Sequence, residues 1–95
     1  MFIVLLKFAD NTGKAGLFME EHNKWLQAGF NDGVFLLSGS LSPGMGGVVV
    51  ATNTNPIALQ QRLDQDPFVS EGVVSAEILE VAPNQVDDRL QALLH

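Results

Sequence analysis

The sequence predicts an α+β fold, an antiparallel sheet with helices on one face, built in the order β-α-β-β-α-β. Three observations carry this. The chain opens on the near-continuous apolar run Phe2-Ile3-Val4-Leu5-Leu6-Lys7-Phe8, which is the pattern of a central strand buried on both faces. A long amphipathic helix and a shorter one then alternate with β-rich segments. Turn residues (Asp10-Asn11-Thr12-Gly13, Asn31-Asp32-Gly33, Asn55-Pro56, Asp66-Pro67) punctuate every change.

The first helix is expected over about Lys14 to Phe30. Phe18, His22, Trp25, Leu26 and Gly29 recur at helical spacing and share one face, while Glu20, Glu21, Lys24 and Gln27 form the outer one. Gly33 suits a left-handed stop. Val34–Ser38 reads as the second strand and Val48–Thr52 as the third, antiparallel to it. Between them, Ser40-Leu41-Ser42-Pro43-Gly44-Met45-Gly46-Gly47 is rich enough in Gly, Pro and Ser to be a flexible connection. Asn55-Pro56 starts the second helix, with Asn as cap and Pro in the first turn, over a stripe of Ile57, Leu59 and Leu63. Asp66-Pro67 ends it, because the residue before proline is pushed out of helical space. The fourth strand is expected over Val73–Val81. A last helix from Pro83-Asn84 carries Val86, Leu90, Leu93 and Leu94. One domain over 1–95 is the expectation, with 83–95 as a C-terminal helical extension.

Composition narrows the function. The chain has no cysteine, which excludes thiol catalysis, disulfides and Cys-ligated metal. Eleven acidic residues against five basic ones give a net charge of −6, so neither nucleic acid nor an anionic membrane is an expected partner. Phe2–Leu6 is too short for a signal peptide and ends in Lys7, so a cytoplasmic location is expected. No cofactor and no metal are expected: His22 has no second histidine at i+3 or i+4, and His95 is the terminal residue.

His22 is the residue that asks for an explanation. It lies on the buried stripe, where a polar ring without a hydrogen bond costs about 1–3 kcal/mol. In the β-α-β-β-α-β plan the two helices run antiparallel, which brings the end of the second, Asp66, close to the first half of the first. A carboxylate there would orient the imidazole and suit it to general acid–base work near neutral pH. Read bluntly, the same pair is a structural bond between helices. Ser38, Gly39 and Ser40 end the second strand, where hydroxyls or a backbone N–H could meet a substrate oxygen, though ordinary turn chemistry explains them too. No G-x-S-x-G elbow marks a nucleophilic serine. Trp25, Phe30 and Phe68 read as core, with one of them able to line a pocket beside His22.

His22, then Asn31-Asp32-Gly33-Val34-Phe35-Leu36-Leu37-Ser38-Gly39, then Asp64-Gln65-Asp66-Pro67-Phe68-Val69-Ser70-Glu71-Gly72-Val73, resemble the pattern of the YCII-related (YciI-like) proteins across most of residues 1–82. The resemblance implies a ferredoxin-like subunit that pairs into a dimeric α+β barrel. It implies a His–Asp site, here His22 and Asp66, in a cleft near the subunit interface. Most members have no assigned substrate. Some relatives act on hydroxylated, chlorinated aromatic rings, and the wider superfamily includes muconolactone isomerases. Acid–base isomerisation or elimination on a small aromatic or lactone compound is the function so implied, with Ser38, Gly39, Ser40, Phe68 and Trp25 as the substrate-binding set. Two departures stand out: Ser40 replaces the usual proline, and Glu20-Glu21 precede His22 where arginine or proline is common. They leave Lys14 or Lys24 as the only nearby cations for an anionic substrate. The alternative is a homodimeric module that binds a small ligand without turning it over, or binds none.

Overall fold

The structure, a computed structural model, describes residues 1–94. Four strands, β1 (Phe2–Phe8), β2 (Phe35–Leu41), β3 (Gly46–Ala51) and β4 (Val74–Glu80), form one sheet in the order β2-β3-β1-β4. All three pairings are antiparallel. Helix α1 (Ala15–Asn31) joins β1 to β2, and α2 (Pro56–Asp64) with the single turn α3 (Pro67–Ser70) joins β3 to β4. This is the ferredoxin-like arrangement.

Burial alternates along the central strand. Phe2, Val4 and Leu6 are closed off under the helices, while Ile3 and Leu5 are half-buried on the other face. The register carries that division across the sheet. Val4 lies opposite Val49 and Ile78, and Leu6 opposite Gly47 and Ala76, so these share the helix side. Leu59 and Leu63 of α2, four residues apart, are fully buried against it. Ile57 does not join them. It sits two positions from Leu59, on another face of the helix, and is 74% exposed.

Four expectations need correction. The segment before β3 is not a flexible connection over residues 40–47. Ser40 pairs with Gly47 and Leu41 with Gly46, which shortens the loop to residues 42–45. Gly46 makes this possible: its φ of +125° and its approach to the Leu6 carbonyl leave no room for a Cβ. Secondly, Asp66-Pro67 does more than end the second helix. Asp66 caps the turn α3, accepting the Phe68 N–H at 3.0 Å, with Pro67 in the first helical position. Thirdly, α1 starts one residue late, after a 3-10 turn over Thr12–Lys14 and with no side-chain cap.

Lastly, no α-helix begins at Pro83. The C-terminal extension turns only over Asp88–Leu94, as 3-10 turns interrupted at Leu90, and buries none of its residues. Its apolar positions are periodic, but Leu90 and Leu94 are exposed and Val86 and Leu93 only half-buried, and periodicity without burial does not sustain a helix this short. Asp87 sets the turn by accepting both the backbone N–H and the side-chain Nε–H of Arg89, which together hold its carboxyl below the usual carboxylate range. His95 lies outside the described residues.

Candidate active site

Helix α1 carries His22 and Trp25 inward on successive turns. The ring of His22 gives its Nδ1–H to Oδ1 of Asp66 at 2.8 Å, an ionised carboxylate having nothing to donate. Asp66 is wholly buried, and the same oxygen takes the Phe68 N–H. One atom therefore fixes the ring's tautomer and closes the turn α3. The other carboxylate oxygen, Oδ2, is the one buried side-chain polar atom left without a partner among the described residues. Taking a carboxylate out of water costs much of what its pairing returns, so the pair adds little as a mere tie between two helices.

Aromatic rings hold the imidazole on its flat side. Phe68 stacks on His22 with centroids 3.9 Å apart and planes 5° from parallel. Trp25 lies 5.8 Å away at 26° and sends its indole N–H to the Arg62 carbonyl at 2.8 Å. With Nδ1 engaged, Nε2 is the atom of the ring left for chemistry.

A hollow of about 290 Å³ opens beside His22, between α1 and the helix side of the sheet. Met19, His22, Asn23 and Leu26 form its upper wall, at positions that share a flank of α1. Its floor is Ser38 and Ser40 on β2, Gly47 and Val49 on β3 and Leu6 and Phe8 on β1, and Phe68 closes the side nearest Asp66. The reason for the empty volume is in the sequence. Ser40 lies opposite Gly47, and Ser38 opposite Val49, where bulkier residues would have filled the space under the helix.

His22 and Asp66 meet as topology requires. Ser38, Gly39, Ser40 and Phe68 all border the hollow with His22. Trp25 does not. It packs on the far side of the imidazole and lines a separate shallow depression with Phe18, Lys24 and Pro67. Asn23 and Met19 were not singled out in the sequence. Their signal was available: they flank His22 at i+1 and i−3 on a helix whose charged residues lie elsewhere. Among the described residues, no group of three or more His, Cys, Asp or Glu could hold a metal ion.

Fold and site together define a ferredoxin-like α+β protein with a buried imidazole–carboxylate pair facing a small, open hollow. The chain belongs to the YCII-related domain family, whose pattern it matches over residues 1–82. No curated protein matches it in sequence. Among solved structures it is similar to 5-chloro-2-hydroxyhydroquinone dehydrochlorinase (TftG) from Burkholderia phenoliruptrix AC1100, in complex with 2,5-dihydroxybenzoquinone. That likeness has a TM-score of 0.68 at 10% identity and covers 85% of this chain and 93% of the other. At so low an identity it establishes the shared fold. No helix among the described residues is long and apolar enough to cross a membrane.

Proposed function

We propose that the chain is a small-molecule enzyme that uses His22 as general acid and base, oriented and charge-balanced by Asp66, to isomerise or eliminate on a small ring compound. The observation that carries this is the pair itself: Nδ1 is committed to a buried carboxylate at 2.8 Å, while the same ring borders a hollow. In such a reaction Nε2 takes a proton from a carbon next to a carbonyl or hydroxyl-bearing carbon. The released electron pair becomes a new double bond. In an elimination the leaving group departs with its bonding electrons; in an isomerisation the imidazolium returns the proton to another carbon. Asp66 stabilises the imidazolium between the two steps. A dehydrochlorination belongs to the first kind, and the activity of the structural neighbour fits it. Ser38, Gly39, Ser40 and Phe68, which border the hollow, would bind the ring, while Trp25 would support the imidazole from behind.

A homodimer belongs to the same proposal. The sheet face away from the helices presents Ile3, Leu5, Val48, Val50, Leu37 and Leu79, the last two 51% and 42% exposed. A contiguous apolar face of this kind is what a second copy would cover.

The test is turnover of hydroxylated chloroaromatics, read as chloride release, together with deuterium uptake by lactones and hydroxylated rings in D2O. Wild-type protein should accelerate one of these and His22→Gln should lose about 10²–10⁴-fold, the usual worth of a positioned acid–base group. A His22→Gln variant with the full rate sinks the proposal.

A further inference from the structure

We infer that the hollow selects an uncharged ring bearing hydroxyl or carbonyl oxygens over a carboxylate or phosphate, and that Asn23 is the residue that sets this preference. This rests on reading the hollow as the substrate site, and it adds what that site recognises.

The wall of the hollow contains no lysine, arginine, aspartate or glutamate; His22 is its one titratable group. The five basic residues are all accounted for elsewhere. Lys7 is on the opposite face of the sheet with Glu77 at 3.5 Å. Lys24 reaches Glu20 and Glu21 on the outer face of α1. Arg62 is held by Asp32 at 3.0 Å and lies over the Phe35 ring. Arg89 pairs with Asp87 in the C-terminal turns. Lys14 sits in the 3-10 turn before α1 and forms no part of the wall. An anionic ligand would thus surrender its hydration with only His22 to meet it, and the positive charge of a protonated His22 is already matched by Asp66. Desolvating an unpaired anion is strongly unfavourable. The net charge of −6 opposes its approach as well.

What the wall does offer is neutral and bifunctional. The hydroxyls of Ser38 and Ser40 and the amide of Asn23 can each donate and accept, so they suit hydroxyl and carbonyl oxygens equally. Ser38 and Ser40 are two positions apart on one strand and point to the same side of the sheet, their backbones about 6.6 Å apart. Asn23 follows His22 on the opposite wall. Asn11, Asn31, Asn53 and Asn55 all spend their side chains on bonds within the protein, whereas Asn23 and Asn84 have no such bond among the described residues, and of these two only Asn23 borders the hollow. An amide unengaged by its own fold, next to the catalytic ring and exposed in the hollow, is available for a ligand. The rest of the lining is apolar: Met19, Leu26 and Phe68 would hold the ring's faces and edges.

The experiment titrates ¹⁵N-labelled protein with two compounds that differ by one carboxylate, hydroquinone under nitrogen and 2,5-dihydroxybenzoate, following the backbone and side-chain resonances of the hollow. Hydroquinone should shift Asn23, Ser38 and Ser40, and 2,5-dihydroxybenzoate should bind at least tenfold more weakly. Asn23→Ala should weaken hydroquinone about fivefold, the worth of one neutral hydrogen bond. Asn23 is exposed on α1, so this variant folds and its effect is on binding. Asn23→Lys should narrow the gap, strengthening 2,5-dihydroxybenzoate about tenfold through a charge-assisted contact. Equal binding of the two compounds at the hollow of the wild type, or an Asn23→Ala variant that binds hydroquinone unchanged, overturns the preference while the site reading stands. If neither compound moves a resonance of the hollow, both readings fall together.

Discussion

Phe68 lies flat on His22 because Asp66 puts it there. The carboxylate that orients the imidazole also accepts the Phe68 N–H, so the residue two positions on is delivered face-down onto the ring, 3.9 Å between centroids. Cap, dyad and stacking are one local construction of Asp66-Pro67-Phe68 plus one residue of α1. Phe68→Leu, which keeps most of the volume and loses the stacking, should cost about 0.5–1.5 kcal/mol in urea denaturation. The same substitution should lower turnover more than tenfold by loosening the ring, and an unchanged rate would show that Phe68 is packing alone.

Asp66→Asn and Asp66→Ala separate geometry from charge. The asparagine variant can keep its carbonyl oxygen where Oδ1 accepts both N–H groups, so its stability should stay within about 2 kcal/mol of wild type. Its turnover should nevertheless collapse, since no negative charge is left to balance an imidazolium. Asp66→Ala loses the cap and the ring's partner together and should be destabilised by about 3 kcal/mol or more. Thermal and urea melts of the two variants, with rates beside them, decide this; equal rates in wild type and Asp66→Asn would remove the charge from the mechanism.

Gly29 and Gly46 are close-approach sites, the first between α1 and β2 and the second between β3 and β1. A Cβ on Gly29 would collide with the Phe35 ring, and one on Gly46 with the Leu6 carbonyl. Gly29→Ala should cost about 1–3 kcal/mol by forcing Phe35 aside. Gly46→Ala should cost at least as much, because its φ of +125° is strained for any residue with a Cβ and the obstacle is backbone. Amide exchange should then show the end of the β2–β3 hairpin opening first, with β1 protected. Uniform loss of protection would argue against a local effect.

The open sheet face gives the prediction on assembly. Wild-type protein at micromolar concentration should sediment as a dimer, and Leu37→Glu or Leu79→Lys should return it to a single subunit while the fold, followed by circular dichroism, persists. Both side chains are largely exposed on that face, so a charge there burdens an interface and not the core. A wild type that sediments as one subunit sinks the dimer.

Much of this was legible in the chain itself. The near-continuous apolar run of β1 marks a strand at the centre of a sheet, and the helical spacing of His22 with Trp25 and Gly29 places the imidazole inside. The antiparallel helices then leave Asp66 as its natural neighbour. What the sequence hid was local. Asp66-Pro67 has the same cap-then-proline form as Asn55-Pro56, yet reading it only as a stop misses the turn it also starts. Gly46 and Gly47 look like loop residues because glycine weakens most strands, and only the close backbone approaches, of Gly46 to Leu6 and of Gly47 to Gly39, explain them as paired positions. Trp25 and Asn23 show the limit of a helical wheel. The buried stripe is wide enough to have two sides, and spacing does not tell which side of His22 borders an empty space.

The sharing of one carboxylate oxygen between two tasks gives the two members of the pair unequal value as witnesses. A relative that had abandoned the reaction would still need an acceptor to start the turn before β4, and would retain aspartate for that reason. Nothing in the backbone asks for an imidazole at position 22. On the proposed chemistry, Asp66-Pro67-Phe68 serves the architecture as well as the reaction, and position 22 is where a working catalyst and a chain that kept only the shape would differ.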